Sequence, residues 1–143
     1  MPLNQSSIFA PFLGMIVLTL VVWVYMYSKR LPFILSSRFN PDEISPDEFN
    51  RLSPSAVRNP SDNLKNLFEL PVLFYAICLY LYVTQQVDGT YVTAAWIFFG
   101  FRIIHSGVHC LTNNVKLRFG MYCVSAFALW FIVLRAAIET ISG

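Results

Sequence analysis

The chain has 143 residues, 56% of them hydrophobic and 13% charged, with a formal net charge of +2. Soluble domains carry about 25% charged residues, and a soluble fold this poor in charge would expose large apolar patches and aggregate, so composition points to lipid as the solvent. The small net charge, with no basic run interleaved with aromatics, argues against nucleic acid as a partner. The length suits one domain over residues 1–143.

In chain order, the first apolar stretch covers residues 8–27 (IFAPFLGMIVLTLVVWVYMY) without a charge. No Lys or Arg precedes it and no small-residue cleavage pattern follows before Lys29-Arg30, so it reads as a retained span and not a signal peptide. Pro11 falls in its first turn, where proline is tolerated. Residues 28–66 form the one long connection, and its middle, FNPDEISPDEFNRLSPSAVRNPSDN, is rich in residues that favour turns over long helices. The triplet PDE occurs twice there, as a turn-and-cap pattern with proline at a first helical position and acids in the first turn. Ser61-Asp62-Asn63 then offers an N-cap, with Asn63 the expected cap, just ahead of the second span.

The second span is expected over about 67–84, with Pro71 in its first turns, the third over 91–111 and the fourth over 119–138. Each is near the ~20 residues that cross ~30 Å of hydrocarbon at ~1.5 Å per residue. The runs are continuously apolar instead of alternating, which favours helices over a strand barrel. The fold expected is therefore an all-α membrane protein, a bundle of four transmembrane helices. Cys78, Cys110 and Cys123 match no disulfide or zinc spacing and read as reduced packing residues.

Charge gives the orientation. Lys29, Arg30, Arg38, Arg51, Arg58 and Lys65 lie between spans one and two, and Lys116 and Arg118 between three and four, so eight of the ten basic residues sit in two loops. By the positive-inside rule, those loops are expected in the cytoplasm and both termini outside.

Ionisable groups within spans are costly and usually face a bundle interior or a water-filled cavity. Asn63, Asn66 and Glu69 recur every three residues on one helical face, and Arg102, His105 and His109 follow at i, i+3 and i+7 on another. Arg102 lies eleven residues past Tyr91, about 16 Å along the axis. Glu69 is its natural partner, since either alone is an expensive buried charge. Lys116 and Arg118 close the set at the cytoplasmic mouth. Read one at a time, these residues have plain structural roles: an ion pair joining two helices, a helix cap, a core histidine and an interfacial one. His105, His109 and Cys110 are also possible soft metal ligands, although His109 and Cys110 point about 100° apart on a helix. What favours a site is that carboxylate, amide, guanidinium and imidazole converge on one half of the membrane. Cationic donors around an amide and a carboxylate suit a small peptide-like anion with an ammonium group and a thiol, such as glutathione.

Two motifs carry a family resemblance. Asn66-Leu67-Phe68-Glu69-Leu70-Pro71 is similar to the N-x-x-E signature, and Arg102-Ile103-Ile104-His105-Ser106-Gly107-Val108-His109 to the R-x-x-H-x-x-x-Y signature, of the MAPEG family, the membrane-associated proteins in eicosanoid and glutathione metabolism. Arg118 falls where the family often has a thiolate-stabilising arginine. Lys65 stands where arginine is common before the asparagine, and His109 where the motif ends in tyrosine. The combination is closest to short bacterial members, which implies a bacterial inner membrane. The resemblance implies a left-handed bundle assembling as a homotrimer, with glutathione as co-substrate between protomers. Arg118 would stabilise the thiolate, while Lys65, Asn66, Glu69, Arg102, His105 and His109 would hold the peptide. The activity implied is conjugation or reduction of a lipophilic electrophile that arrives from the bilayer. The alternative is a non-catalytic transmembrane subunit of a larger membrane complex.

Overall fold

The structure, a computed structural model, describes residues 4–38, 40 and 42–142. A short 3-10 turn, Gln5–Ile8, leads into six α-helices: α1 (Phe9–Ser36), α2 (Pro46–Leu52), α3 (Ser55–Leu67), α4 (Leu70–Val83), α5 (Gly89–Leu111) and α6 (Val115–Ser142). Four helical stretches are long and apolar enough to cross a membrane: Gln5–Ser36, Ser55–Val83, Gly89–Leu111 and Val115–Ser142. The chain is an all-α four-helix membrane bundle, and no strand occurs among the described residues. Large apolar side chains such as Leu20, Val21, Trp96 and Phe127 lie exposed along it, as a surface solvated by lipid requires.

The helices outrun the apolar stretches. The 28 residues of α1 extend about 42 Å at ~1.5 Å per residue, more than the ~30 Å of hydrocarbon. Its end beyond Lys29-Arg30 therefore projects from the apolar layer. There α2 docks on it, with Phe49 edge-on to Phe33 at 5.8 Å and the Arg30 guanidinium 4.8 Å above the Phe49 ring. The second PDE copy opens α2 as its residues suggest: Ser45 accepts from the Glu48 N–H at 3.3 Å, Pro46 takes the first helical position, and Asp47 and Glu48 fill the first turn. Pro41, which starts the first copy, lies outside the described residues.

Helix α3 corrects the sequence reading. Residues expected as turns form thirteen residues of helix with Pro60 inside it, and Asn63 is not an N-cap but a mid-helix residue. Val57, Pro60 and Leu67 are buried on one side of α3 with Leu64 packed alongside. Burial of this stripe against α1 and α5 outweighs the weak helix propensity of a Pro, Ser and Asn-rich segment. Asn63 is fully covered and links helices: it accepts from the Ser106 hydroxyl at 3.3 Å and donates to Cys110 Sγ at 3.5 Å. Such interhelical bonds contribute about 1 kcal/mol in a membrane.

The second span is broken. Pro71 has no N–H to offer the Leu67 carbonyl and its ring crowds that carbonyl, four residues back. The interruption falls at Phe68–Glu69, where Glu69 adopts φ −97°, ψ −102° before α4 begins. The bundle core is continuous on either side, with Phe74 stacked on Phe98 at 4.4 Å. Gly14 lets α1 approach α5, because a Cβ there would come within 2.6 Å of the Phe99 ring.

At the far end from the break, the helices are clamped. Asp88 caps α5 by accepting from the Tyr91 N–H at 2.9 Å, and also accepts from Arg135 of α6 at 2.5 and 3.1 Å. Arg135 donates to Glu139 at 2.9 Å, and the Tyr91 hydroxyl donates to the same carboxylate at 2.6 Å. Gln5 exchanges two hydrogen bonds with the Val87 backbone, which ties the N-terminal turn to this end.

Candidate functional site

At the opposite end, the break after α3, His105 of α5 and the first turns of α6 border an open recess of about 330 Å³. Asn66, Glu69, His105, Val115, Arg118, Phe119 and Tyr122 line it. The interruption at Phe68–Glu69 places Asn66 at the end of α3 and Glu69 at the bend, instead of one turn apart on a straight helix. His105 enters from α5. Arg118 and Tyr122, four residues apart, present one face of α6. Amide, carboxylate, imidazole and guanidinium thus meet at one recess, with Val115 and Phe119 on the α6 face that carries Arg118 supplying its apolar part. Its volume is at the small end of the ~300–1,000 Å³ usual for ligand sites.

Four of the residues singled out from sequence therefore come together: Asn66, Glu69, His105 and Arg118. Arg102, Lys65, His109 and Lys116 do not line the recess. Arg102 is fully covered, its guanidinium 5.5 Å from the Phe98 ring centroid and 5.2 Å from that of Tyr122, and none of its three nitrogens has a hydrogen-bond partner among the described residues. The expected Glu69–Arg102 ion pair is not formed. Among the described residues the ion pairs are Lys65–Asp62, Arg135–Asp88 and Arg135–Glu139. The break carries Glu69 to the surface, and Arg102 rests on aromatic faces instead. Lys65 is exposed and pairs with Asp62 at 3.8 Å on its own helix. His109 is buried behind His105, the two rings 5.7 Å apart and nearly perpendicular. Lys116 is exposed and also off the recess.

Tyr122 is the polar lining residue that sequence reasoning passed over, beside the apolar Val115 and Phe119. Its ring stands 6.2 Å from His105 and forms one of the faces beneath Arg102. The available signal was a hydroxyl four residues after Arg118 in a segment otherwise apolar, where aromatics default to packing. Cys78, Cys110 and Cys123 are free thiols. Cys110 faces Asn63 and lines a groove between α1 and α5, so it does not join the two histidines. Among the described residues no three His, Cys, Asp or Glu side chains converge as a metal ion would need.

Arg118 is held. Its Nη1 donates at 2.5 Å to Oδ1 of Asn113, in the turn between α5 and α6. The recess therefore contains one oriented cation, an imidazole, an amide and a carboxylate, a donor set that can hold a zwitterionic peptide and stabilise an anion beside it.

These features define a multi-pass membrane protein with a small polar recess at one end of a four-helix bundle. Residues 8–138 match the MAPEG family, and the chain belongs to it. It is thus a membrane protein of the glutathione and eicosanoid metabolism family. No match was found among curated proteins or among solved structures.

Proposed function

We propose that this protein is a glutathione-dependent membrane enzyme that conjugates or reduces a lipophilic electrophile. The observation that carries the reading is the recess itself, where Asn66 of α3, Glu69 at the bend, His105 of α5 and Arg118 of α6 line one space of about 330 Å³. Glutathione supplies the nucleophilic sulfur when bound. Glu69 receives its ammonium group, Asn66 and His105 hold the peptide backbone and a carboxylate, and Arg118 stabilises the thiolate of a group that ordinarily ionises near about pH 8.5. Tyr122 offers a hydroxyl beside it. The apolar wall of Val115 and Phe119, whose side chains reach toward lipid, is where the electrophile approaches from the bilayer. Lys65 and His109 contribute through a neighbouring protomer or through the second layer of the site, in a homotrimer whose seams complete a recess this small. By the positive-inside rule the basic loops support a cytoplasmic site with both termini outside, and the resemblance to short bacterial members supports a bacterial inner membrane.

The placement of Lys65 on Asp62, away from the recess, favours one other reading: a non-catalytic subunit that keeps the bundle and packs in a larger membrane complex. A glutathione titration of the thermal midpoint of purified protein separates the two. At a hundredfold excess over Kd, a ligand specific for the folded state adds about 2.7 kcal/mol, which corresponds to roughly 5–10 °C. The parent is expected to show this rise and Arg118→Ala to lose most of it. A folded parent that does not respond to millimolar glutathione refutes the enzyme reading and leaves the subunit.

A further inference from the structure

Arg118 is the one long, flexible cation in the recess, and the direction in which it points is set by a second residue. Its Nη1 donates to Oδ1 of Asn113 at 2.5 Å. Asn113 has φ 49°, the left-handed conformation, and its backbone N–H donates to the Val108 carbonyl at 2.6 Å, so the turn itself holds it. The side-chain Nδ2 of Asn113 donates at 3.4 Å to Oδ1 of Asn59, a buried residue of α3. The chain Asn59–Asn113–Arg118 thus crosses from α3, through the α5–α6 turn, to α6. All three elements contribute to or abut the recess.

We propose that Asn113, backed by Asn59, is a positioning residue that aims the Arg118 guanidinium into the recess without cancelling its charge. This inference rests on the glutathione reading of that site. The acceptor is neutral, and that is its chemical point. A carboxylate in its place would form a charge-assisted pair with Arg118 and neutralise the field that a thiolate needs. An amide oxygen fixes the direction of the fork and leaves the positive charge for the ligand. The titratable groups around Arg118 are Glu69 from the bend, His105 from α5 with His109 behind it, and Tyr122 from α6, while Asp62 of α3 lies beyond His109 and is paired with Lys65. Of those that line the recess only Glu69 is a carboxyl group, and it is exposed at the rim, available to an ammonium group.

The left-handed conformation makes the test clean, because Asn, Asp and Gly all adopt it at little cost. Asn113→Gly keeps the turn and removes the acceptor. Asn113→Asp keeps the acceptor and adds the charge. The experiment is a pH titration of the ultraviolet thiolate absorbance of glutathione bound to the full chain in detergent, with glutathione affinity measured in parallel. Both variants are expected to lower the thiolate-to-thiol ratio about tenfold at neutral pH, a rise of about one pH unit in the thiol midpoint. Affinity should stay within about threefold of the parent. A purely structural role would leave the midpoint where it is, and equal midpoints in parent and both variants would overturn the proposal. Collapse of glutathione binding in Asn113→Gly, with the protein still folded, would overturn it as well, by making Asn113 a ligand contact. A parent that binds no glutathione, or binds it only as the thiol, fails at the earlier step and refutes the glutathione reading itself.

Discussion

Arg102 lies midway along α5, fully covered, with its guanidinium over Phe98 and Tyr122 and no hydrogen-bond acceptor for any of its nitrogens among the described residues. The chain's own helices cover it completely. An unpaired buried cation costs several kcal/mol, and the two aromatic faces return only about 1–2 kcal/mol each. Replacing a poorly paired buried charge by an apolar side chain of similar length is neutral or stabilising, by about 1–4 kcal/mol in known cases. Arg102→Met is therefore expected to keep or raise the thermal midpoint of the purified protein. A fall of several degrees would mean that the guanidinium has a partner in the membrane, such as an internal water or a shifted Glu69. The same residue shows what a sequence can and cannot tell. Its expense in lipid was legible from its position between apolar residues, whereas its neighbours were not, because pairing it with Glu69 assumed an unbroken second helix.

At the scale of the helix, the break between α3 and α4 does most to shape the recess. Pro71 causes it by denying the Leu67 carbonyl its donor. With Pro71→Ala that bond can form, and α3 and α4 are expected to join into one helix that draws Glu69 from the bend. Helix content should hold or rise, while the stabilisation by glutathione expected of the parent under the proposed function should shrink. An unchanged response would show that Glu69 keeps its place for another reason. The motif residues Asn66, Glu69, His105 and Arg118 were legible because their spacing is a local property of the chain. Helix α3 was not, because Pro, Ser and Asn speak for turns one residue at a time, while the stripe of Val57, Pro60, Leu64 and Leu67 acts only once α1 and α5 are there to cover it. Tyr122 stayed hidden for a related reason: nothing in a run of apolar and aromatic residues distinguishes a lining hydroxyl from a packed one.

Across the whole molecule the two ends are built differently, an open polar recess at one and a charged clamp at the other. In the clamp, the hydrogen bond from Arg135 holds the Asp88 carboxyl below the usual aspartate range. A carboxyl whose native pKa is depressed contributes stability that is present above its unfolded value, about 3.9, and is lost as pH falls through the lower native value. The thermal midpoint is thus expected to be insensitive to this group from neutral pH down to about pH 4 and to fall below that. Asp88→Asn should start lower and show a weaker acid limb. Equal acid limbs in parent and variant would remove Asp88 from the account. The four-span architecture was legible because lipid imposes one length and one polarity on every span. Helix ends were not, since α1 and α6 continue past the apolar layer, where water takes over.

The seclusion of Arg102 also bears on how the chain enters a membrane in the first place. Before α6 exists, α5 would present one guanidinium and two imidazoles to lipid, and an arginine near a helix centre alone costs ~2.5–3.5 kcal/mol on insertion scales. Only three residues, 112–114, separate α5 from the helix that carries Tyr122, and α5 and α6 share the most extensive contact in the bundle. The third span is therefore expected to partition as a hairpin with the fourth, leaving the translocation machinery as a pair. A nascent chain that ends at Leu111 should integrate poorly and leave α5 open to protease in membrane vesicles, whereas the full chain protects it. Full protection of the truncated chain would mean that α1 to α4 alone can shelter the arginine.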